Sequence, residues 1–160
     1  MKIKLLRHFY LALVAAILFG GCATISPFDQ YAYAQVTSVK VDVMNLMDLS
    51  AEPYSNHVTI VEDVTSKIMK VVEYEKHRPK NGITVAMWNK MFRVDSSGIV
   101  DATTMIPSFL KKWKQDGKES KFFIQQAKGQ VSEGFDLIAE LEASKIKAED
   151  SKITRFLSPK

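Results

Sequence analysis

From Phe28 to Ser50 the apolar positions fall at 28, 32, 36, 39, 43 and 46/47. Steps of three and four residues put them on one face of a helix. Val39-Lys40-Val41-Asp42-Val43 also alternates as a strand would. Over twenty residues without Gly or Pro favour the helix, and Pro53 ends it. A second stripe follows at Val58, Val61, Val64/Thr65, Ile68 and Val71/Val72, with Ser55 or Asn56 placed to cap its start. His77 to Gly82 stops it, because Pro79 restricts Arg78 and Asn81-Gly82 marks a turn. Ile83, Met87 and Met91, with Trp88, suggest a shorter helix, and Asp95 to Gly98 reads as a loop. Pro107 suits the first turn of a helix over Ser108 to Gln115, which carries Phe109, Leu110 and Trp113 and breaks at Asp116-Gly117. The last stripe, in a segment from Lys121 to about Ile146, is Ile124, Ala127, Val131, Phe135, Ile138 and Leu141. Residues 147–160 read as a polar tail that frays. The pattern predicts an all-α fold: an antiparallel helical bundle of three long and about two short helices over residues 28–146.

The first residues have a different layout. Lys2, Lys4 and Arg7 precede thirteen uncharged residues, Phe9 to Gly21. A basic start and a short apolar run make a secretory signal. The run is too short to span a bilayer, which takes about 20 residues. It ends in Leu18-Phe19-Gly20-Gly21-Cys22, and Cys22 is the single cysteine of the chain. Here the sequence resembles bacterial lipoprotein precursors. Gly20, Gly21 and Cys22 match their lipobox, while Phe19 stands where leucine is usual and Leu18 lies one place earlier. The resemblance implies cleavage before Cys22, a thioether from its sulfur to diacylglycerol, and acylation of the new amino group. Residues 1–21 are then the signal peptide, 22–27 a lipidated tether, and the membrane a partner through the anchor. Ala23 is not aspartate, which by the same resemblance favours the outer over the inner membrane in a bacterium with two. Ala32-Tyr33-Ala34 also fits a cleavage pattern that would release a soluble protein, but it lies sixteen residues beyond Leu18, too far from the apolar run.

At 160 residues, 46% hydrophobic and 25% charged, the chain is sized for one folded domain and is not a disordered one. One cysteine excludes an internal disulfide and any multi-cysteine metal site. The formal charge of +4 is partly the leader's: without Lys2, Lys4 and Arg7, 19 basic residues face 18 acidic ones. The electrostatic motive for binding nucleic acid is lost with it. The five residues Ala23 to Pro27 reach at most about 17 Å, so the domain sits close to the headgroups.

Candidate chemistry is sparse. His57 and His77 stand at opposite ends of one predicted helix, about 30 Å apart, too far to share a metal. No His-Glu-x-x-His, nucleophile elbow or Gly-rich phosphate loop occurs. Met44/Met47 and Met87/Met91 read as core rather than copper ligands. Glu62, Asp63, Glu73 and Glu75 read as a solvated helix face rather than an acid–base pair. No catalytic residue, metal or cofactor is expected. Lys111, Lys112, Lys114, Lys118 and Lys121 surround Trp113, Phe122 and Phe123. This cluster can face anionic headgroups or a partner, or its lysine stems can cover core aromatics. Lys76, Arg78 and Lys80 form a second basic group. The expectation is a non-enzymatic interaction or structural module at the envelope, with an envelope protein as partner. The alternative is a periplasmic module that binds a small apolar or anionic ligand between helices, in an enclosed pocket lined by residues such as Met87, Trp88 and Phe135.

Overall fold

A computed structural model describes residues 26–144 and 151–158. The leader, Cys22 and the tether as far as Ile25 lie outside the described residues. Among the described residues six α-helices form: α1 Gln30–Leu49, α2 Val58–His77, α3 Gly82–Met91, α4 Met105–Asp116, α5 Lys121–Ser144 and α6 Ser151–Leu157. Among the described residues there is no strand beyond a single bridge, Val94 to Val100. The all-α bundle expected from the stripes is what the chain adopts.

Helix α1 lies between α2 and α5 and packs on both. Lys40 pairs with Asp136, and Lys128 with Asp48, so numbers rise along α1 as they fall along α5. Asp42 meets Lys67 of α2, and Tyr31 meets Tyr74, which makes α2 antiparallel to α1 as well. Both neighbours therefore finish beside the start of α1. We call that end the near pole. At the far pole the Glu119 N–H donates to Ser50 O at 2.7 Å, and the Tyr54 N–H to Gly117 O at 2.7 Å. Twenty residues of α1 separate the poles by about 30 Å.

The helix ends differ from the sequence reading in places. Asp29 caps α1, its carboxylate accepting from the Tyr31 and Ala32 N–H groups at 2.9 and 3.1 Å. Neither Ser55 nor Asn56 caps α2: a short 3₁₀ turn takes up Tyr54–Asn56, and His57 holds the cap position without a side-chain bond. Helix α4 starts three residues before Ser108, at Met105, which leaves Pro107 in its first turn. It stops at Gly117, whose φ of 81° suits a residue without Cβ. The largest difference is at the end of the chain. Residues 151–157 are not a frayed tail but helix α6, which buries Ile153 and packs on α3 and α5. Lys90 Nζ of α3 donates to the carbonyls of Phe156 and Ser158, capping α6.

The stripes supply the core. Val36, Val39, Val43, Ile68, Val71, Val72, Val131, Phe135 and Ile138 are buried together with Met87, Trp88, Met91 and Trp113. Trp88 meets Phe135 edge-on, centroids 5.6 Å apart. Met47, Met87 and Met91 are core residues and Met44 packs against them, as their spacing suggested. Gly134 lets α5 close on α3 and α6: a Cβ there would stand 2.5 Å from Met91 Sδ and 3.0 Å from Phe156.

Candidate functional site

The near pole holds the Ser26–Asp29 segment ahead of α1, and a buried polar cluster secures it. Glu75 is the last inward position of the α2 stripe, and Glu142 lies beside Leu141 at the end of the α5 stripe. Both are fully buried. Arg78, in the turn after α2, reaches between them: its Nη1 donates to Glu75 Oε2 at 2.8 Å and to Glu142 Oε2 at 2.7 Å. Asn81 Nδ2 donates to the same Glu75 oxygen and to the Glu75 carbonyl. Thr84 Oγ1 of α3 donates to Glu142 Oε1 at 3.0 Å. Burial pushes the Glu75 carboxyl above its ordinary pKa, against the bonds from Arg78 and Asn81. Burial pulls Arg78 down, and its bonds to both carboxyls outweigh that and raise it. Glu75 Oε1 makes no hydrogen bond among the described residues.

The same arginine grips the incoming chain. Arg78 Nη2 donates to Pro27 O at 3.0 Å, and Nε stands 3.6 Å from Asp29 Oδ2. The Ser26 N–H donates to Lys80 O at 3.0 Å. Lys80 holds a φ of 57°, an uncommon left-handed conformation for a residue with a Cβ. Tyr74 donates its hydroxyl to Asp29 Oδ2, and that bond lowers the Asp29 pKa and raises that of Tyr74. Two sequence expectations are corrected here. Glu75 does not belong to a solvated face, although Glu62, Asp63 and Glu73 do, and Arg78 does not belong to a surface basic group. The signal was present in the stripes: a carboxylate at a position where the period demands an apolar residue needs a buried partner.

The Lys111–Lys121 cluster lies at the far pole; of its aromatics Trp113 is inside and Phe122 is outside. Trp113 is fully buried; its Nε1 donates to Glu52 O at 3.0 Å and its ring meets Tyr54 edge-on at 5.1 Å. Lys112 pairs with Asp116, stands 3.5 Å from Glu119, and covers the Phe123 ring at 5.0 Å. Lys114 lies over Tyr54 at 6.0 Å. These two follow the reading of stems over aromatics, and Lys114, like Lys111, Lys118 and Lys121, is exposed. His57 binds Glu52 at 2.8 Å, and His77 faces the Glu73 carbonyl at 2.9 Å, each within its own pole. No cluster of three metal-ligating side chains exists among the described residues.

Met87, Trp88 and Phe135, expected around an enclosed pocket, are all fully buried among core residues. A surface groove of about 970 Å³ opens between α2 and the 94–98 loop. Met69, Val72 and Val94 contribute its apolar floor, and Lys70, Glu73 and His77 its rim. No helix among the described residues is long and apolar enough to cross a membrane.

No protein-family model, curated protein or solved structure matches this chain. Its function is therefore argued from its own sites.

Proposed function

We propose that this chain is a lipid-anchored protein of the bacterial envelope, cut before Cys22 and acylated there, that works by contact rather than by catalysis. The observation that carries the reading is the lipobox-like Leu18–Cys22, whose cysteine stands four residues ahead of Ser26, a buried residue bonded to Lys80. Four residues reach at most about 14 Å. Two or three acyl chains hold a protein stably, where one holds it only marginally. Ala23 in place of aspartate favours the outer membrane in a bacterium with two. A contact role is supported by the buried carboxyls being engaged with Arg78, Asn81 and Thr84 rather than turned to a cleft. Exposed Lys111, Lys118 and Lys121, about 30 Å from the tether along α1, offer an acidic envelope partner a surface away from the bilayer.

Radiolabelled palmitate is expected to enter the wild-type protein and not the Cys22→Ala variant; labelling of the variant would refute the anchor. Photo-crosslinkers placed at Lys111 and Lys118 in intact cells are expected to capture a protein, and capture of lipid alone would refute the contact role. A second reading, carriage of a small apolar ligand, is favoured only by the groove beside Met69 and Val72. Native mass spectrometry of protein purified from membranes would reveal such a ligand as an added mass, absent from a Val72→Glu variant.

A further inference from the structure

We infer that the near pole is seated in the bilayer interface through Phe28, Tyr31 and Tyr74, so that the bundle stands on its anchor with the far pole turned away. The inference rests on the lipid-anchor reading, and its occupant is the headgroup–acyl boundary of the anchoring membrane. Three aromatic rings lie exposed together there. Phe28 and Tyr31 are each 56% exposed. Tyr74, also exposed, meets Tyr31 edge-on with centroids 5.0 Å apart. Phe28, Tyr74 and Pro79 border one shallow concavity of about 540 Å³. Phe28 is the first member of the α1 stripe by spacing, yet the fold leaves it outside the core. Its exposure is unexplained within the body and is explained by an apolar surface beside it.

The place of these rings names that surface. Phe28 follows Ser26 by two residues, and Ser26 follows Cys22 by four, so an extended link keeps the rings within about 20 Å of the lipidated residue. Phenolic side chains suit this depth, with an apolar ring and a hydroxyl that stays with polar partners. The polar cluster beneath them is arranged compatibly. Asp29, Glu75 and Glu142 turn their carboxyls toward Arg78. Glu73 is paired with Lys76 and His77. Lys80 is exposed and forms no ion pair among the described residues. The pole presents the three rings and Lys80, while the carboxyls of Asp29, Glu75 and Glu142 are turned to Arg78 and that of Glu73 is paired on the surface.

The native tryptophans make the test clean. Trp88 and Trp113 are both 0% exposed, so quenchers in a bilayer do not reach them. Phe28→Trp and Tyr31→Trp place a reporter at the near pole, and Phe122→Trp, at a residue 73% exposed, places one at the far pole. Full-chain protein purified from membranes is reconstituted into vesicles of equal phosphatidylethanolamine and phosphatidylglycerol, with and without brominated acyl chains. The added emission of F28W and Y31W is expected to be lost in brominated vesicles, and that of F122W to be retained. Retention by F28W and Y31W, or equal loss by F122W, overturns the inference. The mass of the N-terminal peptide is read separately. A lipidated Cys22 with unquenched near-pole reporters rejects this face and leaves the anchor. A bare thiol with quenched reporters rejects the anchor and leaves the face.

Discussion

Arg78 joins three parts of the chain with one guanidinium: α2 through Glu75, α5 through Glu142, and the entering segment through Pro27 and Asp29. Removing it strands two buried carboxyls side by side. Arg78→Met is therefore expected to cost about 3–5 kcal/mol, read as a lower urea midpoint, because breaking a buried pair costs far more than a surface one. The carboxyls of the molecule divide by sign. Asp101 is held at about 2, first by the Thr103 hydroxyl and then by Arg93. A depressed carboxylate adds stability above its ordinary value near 4, and that gain is lost as pH falls toward 2. The urea midpoint of wild type should thus exceed that of Asp101→Asn above pH 4, and the gap should close toward pH 2. Glu75 has the opposite sign: its raised pKa makes its ionisation a cost to the fold that grows as pH rises above the ordinary carboxylate range. None of this was legible in the sequence beyond the misplaced charge on each stripe. Arg78 and Glu142 lie 64 positions apart, and no local rule pairs them.

At the scale of the element, the long helices were legible because each buries one unbroken stripe, and burial imposes its period on the sequence. Ends were less legible, since caps depend on which of several short polar residues the chain path favours: Asp29 took that role, while Ser55 and Asn56 went into a 3₁₀ turn. Helix α6 was not legible at all. Ile153, Phe156 and Leu157 are too few to establish a period over seven residues, and the helix is fixed by contact with α3 and α5. The two interior glycines of α5 separate propensity from packing. A Cβ at Gly129 meets nothing within 4 Å, so Gly129→Ala is expected to stabilise by about 0.5–1 kcal/mol. Gly134→Ala drives a methyl into buried Met91 and is expected to destabilise by about 1–3 kcal/mol. Thermal or urea denaturation of the two variants would show shifts in opposite directions.

For the whole molecule, what matters is where the chain leaves the body and what secures that point. Any membrane protein held by its N-terminus is pulled there by whatever binds its other end. The segment from Ser26 to Asp29 is held by Lys80 O, Arg78 and Tyr74 at the end of α2, and through Arg78 to the end of α5. In the proposed anchored state, tension on the N-terminal segment enters the bundle where Arg78 ties the ends of α2 and α5, and three helices share it. An assembly dragged by a moving or growing envelope would keep its shape until that corner yields. Arg78 thus becomes the fuse of the structure as well as its clasp.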